Sequence, residues 1–188
     1  MGNLLKALEF SHKVVAQVIK PGDRVVDATA GNGHDTLFLA KMVGEKGKVF
    51  VFDIQKQAIS NTRELLLKKD LLERVQLFND NHGKIANYLS EEVSTVMFNL
   101  GYLPGSNKEI ITRPETTIEA LKGALNLLSL KGVITIVVYT GHPGGEEEWL
   151  NLEKFLLSLN SNDFSVLIYK YINQRQAPFL IAIERIKY

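Results

Sequence analysis

The sequence predicts an α/β fold: a seven-stranded, mostly parallel sheet with helices on both faces and a C-terminal antiparallel hairpin. Three observations carry this. Apolar, β-branched runs alternate with stretches of helical periodicity along the chain. The runs "KVFVFDI" (48–54) and "VITIVVYT" (133–140) are apolar at consecutive positions, as strands covered on both faces are. Only five residues, "QRQAP", separate the last two runs, too few for a crossover helix, so these two pair antiparallel.

Each element follows in order. Leu4, Leu5, Leu8, Val14, Val15, Val18 and Ile19 lie at helical spacing over 4–19, and "PGD" (21–23) ends that helix. "RVVDA" (24–28) is the first strand, and a helix of about 34–43 follows it. "KVFVFDI" is the second strand, and "QAISNTRELLLKKD" (57–70) has helical periodicity. "RVQLFND" (74–80) and "STVMFNL" (94–100) are the third and fourth strands. "TTIEALKGALNLLSL" (116–130) is an amphipathic helix, after which Gly132 leads into "VITIVVYT". "EEEWLNLEKFLLSL" (146–159) is a helix whose acidic first turn suits the positive end of the helix dipole. "FSVLIYKYIN" (164–173) and "FLIAIERI" (179–186) complete the sheet. No repeat, low-complexity tract or Pro/Gly/Ser linker divides the 188 residues, which fit one domain with one core.

Composition narrows the class. The chain is 45% apolar and 23% charged, as soluble globular proteins are. A net charge of +1 provides no global field for nucleic acid, so any basic patch is local. With no cysteine, disulfides and thiolate metal sites are excluded and a reducing compartment is allowed. No His/Asp/Glu cluster has metal-ligand spacing, so no metal is expected. "MGNLLKALEF" lacks the apolar core of a signal peptide, and no apolar run approaches the roughly 18 residues of a membrane span. A cytoplasmic protein is expected.

The polar residues are not scattered. Open parallel sheets bind ligands outside the carboxyl ends of their strands. Those ends carry "DATAGNGHDT" (27–36), Asp53-Ile54-Gln55, Asp80-Asn81-His82, Asn99-Leu100-Gly101-Tyr102 and Tyr139-Thr140-Gly141-His142. The opposite ends carry plainer turns such as "GEKG" and "LKG". Five polar ends on one edge define a site. Gly31 and Gly33 let the backbone approach a ligand, and the helix start after them offers free N–H groups. Asp53, about 20 residues beyond those glycines, is placed to accept both hydroxyls of a ribose. A dinucleotide fingerprint needs a third glycine, but here His34, Asp35 and Thr36 follow Gly33. Asp27 ends the first strand; it would repel a pyrophosphate and attract an α-amino group. These features favour S-adenosylmethionine over NAD.

The blocks "VVDATAGNGHDTLFLA", "VFDIQ", "NDNH", "NLGYLPG", "TRPETTI" and "GHPGGEEE" resemble a group of small bacterial class I S-adenosylmethionine-dependent methyltransferases. The group carries the label rRNA methylase. It includes MnmM-type enzymes, which methylate the aminomethyl group of 5-aminomethyl-2-thiouridine at the tRNA wobble position. The resemblance covers essentially the whole chain. It implies a Rossmann-like class I fold ending in an antiparallel hairpin, S-adenosylmethionine as methyl donor, and transfer to a nitrogen of tRNA. Spacing alone speaks only for the cofactor site.

The roles follow on that basis. Asp27 sits near the methionine amino group and Asp53 holds the ribose hydroxyls, a plain helix cap being the alternative for Asp53. Gln55 serves the ribose or the adenine edge, and Asn81 and His82 the adenine. Asn32 and Thr36 are read as cofactor-binding, Asp35 as orienting the amino-acid part of the cofactor or capping its helix, and His34 as lining the site. Amino-methylating enzymes carry a D/N-P-P-Y/F motif where this chain has Asn99 to Tyr102. There the Asn or Asp and a backbone carbonyl accept hydrogen bonds from the target nitrogen, and the aromatic ring stacks on the base. Leu100 and Gly101 replace both prolines, which tells against adenine N6 and fits an alkyl amine on a uridine as well. Asn99 is read as positioning the acceptor, Leu100 as touching the substrate and Tyr102 as a stacking partner or pocket wall. An alkylammonium must lose its proton before in-line attack, so proximity and orientation carry the catalysis. The long 102–117 connection, with Thr112, Arg113 and Thr116, is read as a lid that contacts substrate phosphate or closes over the methyl donor, Arg113 touching substrate, His142 lining the acceptor pocket and Arg175 touching RNA. "EEE" (146–148) is read as serving its helix and Trp149 as packing. Other acceptors stay open: rRNA, a small amine or a protein. So does a module that binds the cofactor or RNA without catalysis, and a homodimer that widens the RNA surface.

Overall fold

The computed structural model describes residues 4–101, 112–141, 143–174 and 176–187. Its strands are β1 (Arg24–Asp27), β2 (Lys48–Phe52), β3 (Val75–Phe78), β4 (Val93–Asn99), β5 (Leu128–Val138), β6 (Phe164–Tyr169) and β7 (Phe179–Arg185). They form one sheet in the order β3-β2-β1-β4-β5-β7-β6. Neighbours from β3 to β5 pair parallel, while β7 lies between β5 and β6 and is antiparallel to both. The chain winds outward from β1 through β2 to β3, then returns to β4 and winds the other way. The switch point between β1 and β4 therefore opens a crevice at their carboxyl ends.

The apolar runs are buried on both faces. Val25 and Val26 are neighbours on β1, point to opposite sides and are both fully buried. One face packs with α2 (His34–Met42) and α3 (Lys56–Leu67) through Val25, Leu39, Val49, Val51 and Leu66. The other packs with α4 (Ile85–Tyr88), α5 (Pro114–Leu127) and α6 (Gly145–Leu157) through Val26, Ile85, Val96, Leu121, Ile136 and Leu152. The first helix, α1 (Ala7–Ala16), joins the first of these faces through Val15 and reaches β5 and β7 through Ala7, Val137 and Leu180.

The sequence expectations are corrected mainly at element ends. α1 is shorter than 4–19; Glu9 accepts from the Lys6 N–H at its start, and after Ala16 the chain tightens through Val18 N–H to Val15 O. α5 begins earlier than expected, with Pro114 in its first turn, where a missing N–H costs nothing. The expected "LKG" turn is a bulge inside β5. Leu128 pairs with Val93 and Val133 with Thr95, and Lys131 between them has φ +64°. β6 ends at Tyr169, short of residue 173. α4 and the 3₁₀ turns at Leu72–Arg74 and His82–Lys84 were not foreseen. Among the described residues no helix is long and apolar enough to cross a membrane.

Candidate functional site

The carboxyl ends of β1 to β5 converge on one cavity of about 850 Å³. The β1–α2 loop supplies Thr29 to Asn32, and the ends of β2 and the segment after β3 supply Asp53, Gln55, Asn81 and His82. Across the switch point, Asn99, Leu100 and Gly101 follow β4, and Arg113 and Tyr139 close that side. Leu8 of α1 and Gln176 of the β6–β7 connection complete the rim. Asn32, Gly31, Asp35, Asp53, Gln55, Asn81, His82, Asn99, Leu100 and Arg113 are thus brought together as the sequence suggested. Tyr102, His142 and Arg175 lie outside the described residues.

Asp27, Gly33 and Thr36 do not line the cavity; they hold its loop from behind. Asp27 is 1% exposed, and its carboxylate accepts from the Thr29 N–H at 3.1 Å and the Thr36 hydroxyl at 2.5 Å. Burial, reinforced by the charge of Asp35, pushes its carboxyl up to about 7, against those two hydrogen bonds. Gly33 has φ +81°, and a Cβ there would meet the Thr62 Cα at 2.9 Å. Its lack of a side chain serves the left-handed turn and the approach of α3.

Asp53 organises the opposite wall. Its oxygens accept from the Gly31 N–H at 3.0 Å and the Gln55 N–H at 2.9 Å, and the Asn79 amide donates to its backbone carbonyl. Burial raises its carboxyl pKa, and the two N–H groups oppose the rise. Asn32 accepts from the Asn61 amide, and Asn81 caps the following turn by accepting from the Gly83 N–H. His82 is buried; its Nδ1 donates to the Ala28 carbonyl, which leaves Nε2 as the acceptor. Burial holds its pKa down to about 4, against the Ala28 hydrogen bond, so the ring is neutral at neutral pH. Nε2 is buried without a hydrogen-bond partner.

Across the switch point the Asn99 N–H donates to the Thr29 hydroxyl at 2.8 Å, tying β4 to the β1 loop. Asp35, 7% exposed, meets His12 Nε2 at 2.6 Å with one oxygen, and the Asn99 amide donates to the other at 3.4 Å. Gly101 and Thr112 hold each other: the Gly101 N–H donates to the Thr112 hydroxyl, and the Thr112 N–H to the Gly101 carbonyl. The Thr112 and Thr117 hydroxyls donate to Glu148 of α6 at 2.8 and 2.7 Å. Glu148, read from sequence as serving only its own helix, is therefore a buried anchor for the segment leading to Arg113.

Sequence reasoning missed His12, Thr29 and this role of Glu148, and with it the anchoring of Thr112. His12 left one signal, its place on the inward stripe of α1 between Leu8 and Val15. Among the described residues no group of three or more His, Asp or Glu is placed to hold a metal ion.

A family model described as "Putative rRNA methylase" matches residues 49–184. The chain is 46% identical over 186 residues to the tRNA (mnm(5)s(2)U34)-methyltransferase, chloroplastic, of Arabidopsis thaliana; the match takes in 94% of this chain and 68% of that protein. A "putative rRNA-methylase" of Clostridium thermocellum superposes with a TM-score of 0.97 at 46% identity, covering 98% of this chain and 100% of that one. A "putative methyltransferase" of Streptococcus mutans, solved in complex with SAH, superposes with a TM-score of 0.89 at 37% identity, covering 97% of this chain and 99% of that one.

The residues present fit such a cofactor. S-adenosylmethionine brings a ribose diol, an adenine amino donor, and a cationic sulfur and amine. The cavity offers carboxylates at Asp53 and Asp35, and in its wall at His82 a buried acceptor nitrogen without a partner.

Proposed function

The chain belongs to the rRNA-methylase family of S-adenosylmethionine-dependent methyltransferases, and from that premise we propose that it N-methylates the aminomethyl group of 5-aminomethyl-(2-thio)uridine at the wobble position of tRNA. The observation that carries the acceptor is the 46% identity, over nearly the whole chain, to a relative named for methylation at tRNA position 34.

When bound, the cofactor supplies an electrophilic methyl group on a cationic sulfur. Asp53 would hold the ribose, Asn81 and His82 the adenine, and the side of Asp35 the amino-acid end. On the β4 side, Asn99 presents its amide to the acceptor. The carboxylate of Asp35 has only acceptors, so the Asn99 nitrogen faces it and the Asn99 carbonyl oxygen is left to receive an N–H of the amine. Leu8, Ala28 and Leu100 make part of the wall apolar, which disfavours the ammonium form and favours the nucleophilic neutral amine. The enzyme then acts chiefly by proximity and orientation. Arg113 is the one Lys or Arg among the described cavity residues, and suits a backbone phosphate of the RNA. The reading places the protein in the cytoplasm with its tRNA.

The test uses synthetic anticodon stem-loops that differ only at position 34. One carries aminomethyl-uridine and the other plain uridine. The reading expects one methyl group on the first and none on the second; equal labelling of both, or of neither, refutes it. The family description names rRNA, so ribosomal RNA belongs in the same assay as the second candidate acceptor.

A further inference from the structure

His12 lies on α1, outside every motif that points to the cofactor, yet it is fixed from two directions. Its ring lies flat on Phe38, with centroids 4.1 Å apart and planes within 1°. Its Nε2 meets Asp35 Oδ1 at 2.6 Å. Asp35 and Phe38 are three residues apart on α2 and so share one face of that helix, which receives the imidazole as a unit. Asp35 lines the cavity, and its second oxygen meets the Asn99 amide. A continuous chain of contacts thus runs from α1 to the acceptor end of the site.

We propose that His12 is a positioning residue for methyl transfer, holding Asp35 so that the carboxylate fixes which end of the Asn99 amide faces the acceptor. The proposal rests on the reading of Asn99 given above. An asparagine amide turned by half a revolution exchanges an acceptor for a donor. Only the orientation with Nδ2 toward Asp35 leaves Oδ1 for the amine. One Asp35 oxygen is committed to His12, so the other is held where it selects that orientation. A helix contact that served packing alone would need only an apolar ring against Phe38. A single partly buried hydrogen bond adds little net stability, whereas its geometry is specific.

The experiment compares wild type with His12→Ala, His12→Phe and His12→Gln on the aminomethyl-uridine stem-loop. It measures kcat, KM for both substrates, S-adenosylhomocysteine affinity by calorimetry, and Tm. Phe keeps the stack on Phe38 without an N–H; Gln has an amide N–H that can reach Asp35. His12→Ala and His12→Phe are expected to lower kcat by about tenfold or more, the scale of a misplaced reacting group. S-adenosylhomocysteine affinity, to which Asp35 contributes at the amino-acid end, falls by much less than kcat does, and His12→Gln recovers at least about a third of kcat. Should the alanine variant unfold, the Phe and Gln variants decide, with Gln the faster.

Three results overturn the proposal. One is a kcat for His12→Phe within about twofold of wild type. Another is affinity for S-adenosylhomocysteine falling in step with kcat. The third is a folded His12→Gln that is no faster than His12→Phe. No transfer by the wild type itself overturns the reading of the acceptor and the proposal with it, whereas transfer that all variants share overturns the proposal alone.

Discussion

Glu148→Ala removes the acceptor of two hydroxyls. Glu148 is 3% exposed and Thr117 1%, and their hydrogen bond is 2.7 Å long. A buried hydroxyl left without a partner costs about 1–3 kcal/mol, and here that falls mainly on Thr117, because Thr112 is only partly buried and can turn to water. Loss of the buried methylenes adds roughly 1 kcal/mol, offset in part because a carboxylate no longer has to leave water. The net expectation is about 2 kcal/mol, which for a chain of this size lowers Tm by about 4–8 °C. Thermal unfolding at constant pH measures it, with Glu147→Ala as control. Glu147 is the exposed neighbour, and its truncation should change stability by less than about 0.5 kcal/mol. Because Thr112 also holds Gly101, the KM for RNA should rise in Glu148→Ala while S-adenosylhomocysteine affinity stays unchanged. Equal Tm losses in the two variants would refute the reasoning.

Three further predictions follow from single residues. Gly33→Ala places a Cβ at φ +81° and 2.9 Å from Thr62, so Tm should fall by an amount equivalent to at least about 2 kcal/mol; an unchanged Tm would mean the loop relaxes freely. Burial raises the Asp27 pKa from 3.8 to about 7, so in that window the native state holds a proton that the unfolded chain has released. This contribution to stability is fully present below about pH 4, is lost as pH rises through about 7 and is flat above. Asp27→Asn removes the titration, so the Tm of the variant relative to wild type should be higher at pH 8 than at pH 5; a difference that does not vary with pH contradicts this. Asp53→Ala should weaken S-adenosylhomocysteine binding by about a hundredfold in calorimetry, since two hydrogen bonds to a carboxylate are worth about 1.5 kcal/mol each. An unchanged Kd would remove Asp53 from the ribose site.

The sheet was legible because its strands are apolar on consecutive positions, a pattern that follows from burial on both faces, as at Val25 and Val26. The site was legible as an edge because topology sends every polar strand end of a parallel sheet to one side. What each residue does there was less legible. Asp27 and Gly33 sit in the right loop, but their partners are Thr36 and Thr62, nine and 29 residues away in sequence, and no local pattern announces them. Glu148 looks like an ordinary first-turn acid until Thr112 and Thr117 are folded against it. His12 shows only as a polar residue on an apolar stripe, and its meaning comes from α1 lying against Asp35. Helix and strand ends shifted where caps and bulges, rather than periodicity, decide the boundary, as at Pro114 and Lys131.

The central claim concerns the acceptor, and one measurement reaches it directly. Labelled methyl groups are transferred from S-adenosylmethionine by the purified protein to RNA from a strain that lacks it. tRNA and rRNA are then separated, and the labelled nucleoside is identified by mass spectrometry. The account predicts label in tRNA alone, in a methylaminomethyl derivative of uridine. Label confined to rRNA, or absent from all RNA while S-adenosylhomocysteine still binds, would contradict it.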